Sequence, residues 1–203
     1  MTINNGVDEE IFTFTQSDFR KKYLLEDKKI ILGVSYFWTE RKGIEIFNKL
    51  SLENFFNKLT FLLYSHMIIV LPLNYKIVLV GQTKKLNDKI LYISKTDNAK
   101  ELAKIYSASD IFVNPTLFEN YPTVNLEALS CSLPVITFST GGSGEMINFF
   151  NGHVVSKGDY NALKKAILDL TGSFDREKIK QDANKFSNKI FCEKYYELYN
   201  EQK

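Results

Sequence analysis

The sequence predicts an α/β fold in which a parallel sheet carries helices on both faces. Short apolar runs at 28–35, 75–81, 89–94, 111–115, 134–138 and 153–156 recur along the chain, several of them closed by glycine or proline. Unbroken apolar runs of this kind are strands buried on both sides, as parallel sheets require. Between the runs lie segments with apolar residues at helical spacing. Strands alternating with helices imply right-handed crossovers and a parallel sheet.

Taken in order, residues 1–28 are polar and turn-rich and form a linker-like N-terminal segment. "KKIILGVS" (28–35) is the first strand, which passes Gly33 into a loop. After "ERKG" (40–43), "IEIFNKLSLENFFNKL" (44–59) has the apolar spacing of a helix. "YKIVLVG" (75–81) is a second strand ending in Gly81, and "KILYIS" (89–94) is a third. "AKELAKIYSASD" (99–110) reads as an amphipathic helix with Leu102, Ile105 and Tyr106 on one side. "IFVNP" (111–115) is a fourth strand stopped by its proline. A helix from about Thr123, the strand "PVITF" (134–138), the glycine turn "TGGSGE" (140–145) and a last strand "HVVS" (153–156) follow. Helices fill most of the rest, including "NALKKAILDL" (161–170) and "EKYYELYN" (193–200). The main domain is expected over 29–189 and a C-terminal helix over 190–203.

With 203 residues, 44% hydrophobic and 25% charged, the chain has the composition of one substantial globular domain. Its 26 Lys+Arg against 24 Asp+Glu leave a net charge of +2 and no dense basic stripe, so nucleic acid is not an expected partner. Cys131 and Cys192 lack partner spacing, and His66 and His153 lack ligand partners, so neither a disulfide framework nor a metal site is expected. "MTINNGVDEEIF" (1–12) has acids and no apolar h-region, unlike a signal peptide, and cytoplasmic residence is the expectation.

In parallel sheets ligands sit beyond the carboxyl ends of the strands. The loops there contain "ERKG", "GQTKK", "SKT", "TLFENYPT" and "STGGSGE", a set of cations, glycines, hydroxyls and a carboxylate. That mixture suits a phosphorylated, hydroxyl-rich ligand. In "FENYPTVNLEAL" (118–129), Pro122 separates Glu119, in a loop, from Glu127, on the first or second turn of a helix. The free N–H groups of Thr123, Val124 and Asn125 point between the two acids and form an anion site. The ordinary alternative makes Glu119 a solvated loop acid and pairs Glu127 with a lysine. Arg41 and Lys42 stand just before a helix, where they are either a phosphate grip or a plain surface pair.

In combination, these motifs resemble the C-terminal, donor-binding half of a retaining GT-B glycosyltransferase of family 4, the "glycosyl transferases group 1" type. The resemblance rests on "SASDIFVNPTLFENYPTVNLEALSCSLPVITFSTGGSGEMI" (107–147), with its two glutamates separated by seven residues and its glycine-rich turn. "INNGVDEEIF" (3–12) resembles the family's interdomain linker, "ERKG" its phosphate-binding Lys-Gly, and "YYELY" (195–199) its closing helix. The resemblance implies a Rossmann-like domain and sugar transfer from a nucleotide diphosphate sugar with retained configuration. By that resemblance Glu119 meets the donor sugar near the reacting carbon and Glu127 the ribose hydroxyls. Backbone groups of Asn120, Tyr121, Pro122, Thr123 and Val124 meet sugar and diphosphate. Lys42, with Arg41, neutralises the diphosphate, and the base passes Gly81 and the loop Ser94, Lys95 and Thr96. No metal or other cofactor is implied.

The chain departs from the family pattern in three places. The first, acceptor-binding domain is not in the sequence, so a separate acceptor-domain chain is an expected partner. Val34 follows Gly33 where the family often has arginine. Residues 52–75 form an atypical apolar insertion, whose stretch "LTFLLYSHMIIVLPLNY" (59–75) carries no formal charge but is short for a membrane span. Packing within the domain or on a partner is the first reading of it. Docking at the inner face of a membrane is the second, and a disordered insertion the third. Two other functions remain open: a non-catalytic nucleotide-sugar-binding module or remnant, and a sugar-nucleotide epimerase-like enzyme.

Overall fold

The computed structural model describes residues 3–63, 74–170 and 174–201. Six strands form one sheet: β1 (Lys29–Phe37), β2 (Tyr75–Gln82), β3 (Leu91–Ile93), β4 (Ile111–Asn114), β5 (Val135–Phe138) and β6 (Gly152–Val155). All pairings are parallel, in the order β3-β2-β1-β4-β5-β6. The helices are α1 (Phe19–Lys22), α2 (Ile44–Leu63), α3 (Ala99–Ala108), α4 (Thr123–Ser130), α5 (Tyr160–Leu170), α6 (Arg176–Ala183) and α7 (Asn188–Asn200).

Alternation along each strand sorts the core into two layers. Ile30, Leu32, Val78, Val80, Phe112 and Val135 face Tyr106 of α3, Leu126 and Leu129 of α4 and Ile179 of α6. Ile31, Ile77, Leu79, Ile111, Val113 and Ile136 face Phe47 and Leu50 of α2 and Leu163 and Ile167 of α5. The strands read as uninterrupted apolar runs because both of their faces are covered.

The order of strands reverses between β1 and β4, which pair through Ile31–Ile111 and Leu32–Phe112. The chain leaves β1 for α2 on one face and β4 for α4 on the other, so the two exits diverge and open a crevice at their carboxyl ends. The "ERKG" turn and the loop 115–122 emerge there.

Residues 3–28 pack onto this body. Val7 forms an isolated bridge with Ser187, and Val7, Phe19 and Leu25 are buried. The short helix α1, which the polar composition of 1–28 did not announce, carries Arg20. Its guanidinium donates to the carbonyls of Ala108, Leu25 and Lys28 and pairs with Asp110 at 2.5 Å. Asp110 also accepts from the Ile30 N–H at 2.7 Å, so one carboxylate joins α1 to the start of β1.

The helix predicted at 44–59 runs on to Leu63, and the terminal helix begins at Asn188, two residues ahead of the expected 190. Residues 64–73, which hold most of the uncharged run, lie outside the described residues, so the readings of that run fall there too. Among the described residues no helix is long and apolar enough to cross a membrane.

Arg20→Ala leaves three carbonyls and the Asp110 carboxylate without their shared donor. A loss of about 2–3 kcal/mol in unfolding free energy is expected, read as a lower urea midpoint with an unchanged slope.

Candidate functional site

The site is built on two loops at the crevice. The first is a single 3-10 turn, Glu40–Lys42, between β1 and α2. The second is the stretch 115–122, between β4 and α4. They are laced together: the Leu117 N–H donates to the Arg41 carbonyl at 2.9 Å, and the Arg41 guanidinium donates to the Phe118 carbonyl at 2.9 Å. Lys42 forms an ion pair with Glu119 at 2.6 Å, with 23% and 17% of the two side chains exposed.

Lysine carries three donors, so an ammonium held by one carboxylate keeps capacity for another acceptor. The ordinary alternative raised for the acids is thus inverted. Glu119 has the lysine, while Glu127 accepts a hydrogen bond from the Tyr106 hydroxyl at 3.0 Å.

The glycine turn, Gly141–Gly144, backs the second loop. Gly141 has φ 51°, and a Cβ there would stand 2.0 Å from the Glu119 carbonyl oxygen. The Gly142 N–H donates to the Asn120 carbonyl at 2.5 Å. Only a residue without a side chain lets this turn approach so closely. Asn120 also donates its N–H to its neighbour Glu119 at 3.2 Å, which fixes that carboxylate from the backbone.

α4 begins at Thr123, where the sequence placed it, with Pro122 as N-cap and no side chain closing the end. The Asn125 N–H, expected to be free, donates to the Pro122 carbonyl at 3.1 Å. That leaves the amides of Thr123 and Val124 as the open donors of the helix N-terminus. Glu127 lies on the second turn. Burial pushes its carboxyl above the usual range, against the lowering effect of the Tyr106 hydrogen bond.

Ser94, Lys95 and Thr96 follow β3. Together with Gly81 at the end of β2, Ser94 and Lys95 border a groove of about 470 Å³. Lys95 pairs with Asp97 and stands 4.2 Å from the Tyr36 ring centre, while the Thr96 hydroxyl donates to Glu101 at 3.0 Å. Gly81 has φ 132°, and its missing Cβ makes room for the Ser35 carbonyl. The sequence-predicted residues thus form two groups. One comprises Arg41, Lys42, Glu119, Asn120, Tyr121, Pro122, Thr123, Val124 and Glu127 around α4, and the other lies at the β3 loop.

Sequence reasoning missed the buried polar residues beneath them. The Asn114 side-chain amide donates to Asn125 Oδ1 at 2.8 Å, the Thr116 hydroxyl donates to Asn114 Oδ1 at 2.7 Å, and the Asn125 side-chain amide donates to the Ser143 carbonyl at 3.4 Å. The available signal was an asparagine at the end of the apolar strand "IFVN" and another inside "TVNLEAL". Among the described residues no group of three His, Cys, Asp or Glu side chains is placed to hold a metal.

A parallel sheet with a switch-point crevice, a cationic turn and an uncapped helix N-terminus together define a Rossmann-like domain. The family model described as "Glycosyl transferases group 1" matches residues 28–173, and the chain belongs to this family. The capsular polysaccharide biosynthesis glycosyltransferase CapM of Staphylococcus aureus is 29% identical over 97% of this chain and 53% of its own length. The fold is that of the C-terminal domain of GT-B enzymes. The C-terminal domain of a group 1 glycosyltransferase, LpcC of Francisella tularensis, superposes with a TM-score of 0.60 at 18% identity, over 94% of this chain and 98% of that one. Anabaena HepE, crystallised with UDP, superposes with a TM-score of 0.76 at 16% identity, over 99% of this chain and 57% of that one. The chain spans about half the length of CapM and HepE.

A carboxyl whose folded pKa is raised costs stability once it ionises. The cost appears as pH rises through the window from the ordinary value near 4.5 to the raised one. Glu127→Gln removes it. The variant is therefore expected to melt higher than the wild type above that window, and the difference should shrink as pH falls toward 4.5. Melting curves across pH test this, and a difference that does not vary with pH would contradict it.

Proposed function

We propose that this domain holds the donor for sugar transfer from a nucleotide diphosphate sugar, with the diphosphate at the α4 N-terminus. The observation that carries the reading is the junction at Thr123. There an uncapped helix start follows directly on the loop that places Glu119 against Lys42. In this reading the open amides of Thr123 and Val124 bind phosphate oxygens, and Lys42, with Arg41, supplies positive charge. Glu127 accepts from the ribose hydroxyls, and Glu119 meets the donor sugar. The base lies along Gly81, Ser94, Lys95 and Thr96. The family relationship and the UDP carried by HepE support the choice of ligand.

The transfer proposed breaks the bond between the anomeric carbon and the diphosphate oxygen. An acceptor hydroxyl attacks from the face the diphosphate leaves, so configuration is retained. The electron pair departs with the diphosphate, whose charge the amides and Lys42 stabilise, and the acceptor proton passes to that leaving oxygen or to solvent. The acceptor site belongs to a further domain or chain.

Titration of UDP, GDP, ADP and their sugars against thermal unfolding tests the binding. At a hundredfold excess over Kd, a ligand of the native state adds about 2.7 kcal/mol, or roughly 5–10 °C for a domain of this size. Lys42→Ala is expected to weaken binding by about tenfold or more and Glu127→Ala to do likewise. The reading fails if none of these nucleotides raises the melting temperature.

A further inference from the structure

The Tyr106 side chain is completely buried, yet it ends in a hydroxyl that has to find a partner. Its ring is fixed edge-on between Phe12, at 6.2 Å between centroids, and Phe112 of β4, at 5.5 Å. From that position the hydroxyl donates to one carboxylate oxygen of Glu127 at 3.0 Å. The other oxygen of Glu127 accepts no hydrogen bond from the described residues. We propose that Tyr106 is a positioning residue: it locks the Glu127 carboxylate so that the second oxygen is presented to the ribose hydroxyls. The proposal rests on the donor-binding reading above and goes beyond it, because Tyr106 itself lies below the site and touches no ligand.

Three observations support a role beyond packing. A buried phenylalanine would fill the same space without needing a partner. The hydrogen bond spans two helices, α3 and α4, so it fixes the acid relative to the sheet and not merely to its own helix. Finally, donation from the hydroxyl favours the ionised form of a carboxyl that burial holds above its usual range, so the contact that orients the group also offsets part of its burial cost. A glutamate on a helix has three rotatable side-chain bonds. Holding one of its oxygens in advance removes that freedom before the ligand arrives.

The test compares UDP, GDP and ADP with their 2′,3′-dideoxy counterparts on the wild type, Tyr106→Phe, Glu127→Gln and the double variant. Tyr106→Phe keeps the ring contacts, and a melting curve checks its fold. The ribonucleotide that the wild type binds is expected to lose about five- to tenfold in affinity on Tyr106→Phe, while its dideoxy counterpart changes by less than about twofold. Glu127→Gln should lose the same discrimination, and the double variant no more than the greater single loss. Equal losses for both ligands, or additive losses in the double variant, would show a purely structural tyrosine and overturn the proposal. A wild type that binds none of the three nucleotides would overturn the donor-binding reading itself.

Discussion

Asn125 is completely buried on α4, and its side-chain amide bonds in two directions: to Asn114 at the end of β4 and to the Ser143 carbonyl in the glycine turn. A buried amide left without partners carries a desolvation cost of about 1–3 kcal/mol, so these groups hold one another in register. Thr116 and Thr140 extend the knot, through Thr116 to Asn114 and Thr140 to the Thr116 carbonyl, and Thr137 ties β5 to the Asn114 carbonyl. The position of α4 relative to the sheet, and with it the direction of its open N-terminus, depends on this network. Apolar packing alone would tolerate sliding of the helix, because hydrophobic contact has no preferred direction.

On that platform the two acids of "FENYPTVNLEAL" have different environments and therefore different chemistry. Glu119 is paired with Lys42 at 2.6 Å and reached by its neighbour's amide, so its position is fixed from two sides. Among the described residues the Glu127 carboxyl pairs with no cation and accepts only from the Tyr106 hydroxyl, and burial pulls it toward the protonated form. A group held at such a cost is a candidate for function, because ordinary surface glutamates avoid it. Glycines 141 and 142 complete the arrangement by letting a second backbone press against the Glu119–Asn120 carbonyls.

Much of the fold was legible because the strands are buried on both faces, which leaves unbroken apolar runs in the sequence. The start of α4 at Thr123 was legible for a local reason, the restraint that proline places on its neighbours. The family was legible through the order of the motifs. Where a contact was missed, the cause was tertiary. Nothing local about Tyr106 distinguishes it from a core tyrosine; only the packing of α3 on α4 reveals its partner. Asn114 and Asn125 are eleven residues apart, and their bond exists only because the crossover returns α4 over the end of β4. Arg20 likewise lies in a polar, turn-rich segment, while its partner Asp110 lies ninety residues away.

The central claim is that a nucleoside diphosphate sits on the amides that open α4. Amide hydrogen exchange measured residue by residue, with and without saturating ligand, addresses it directly. Thr123 and Val124 have no side-chain cap and should exchange fast in the free protein. Strong slowing of these two amides on addition of the diphosphate is the expected result. Binding that raises the melting temperature while leaving both amides as fast as before would contradict it.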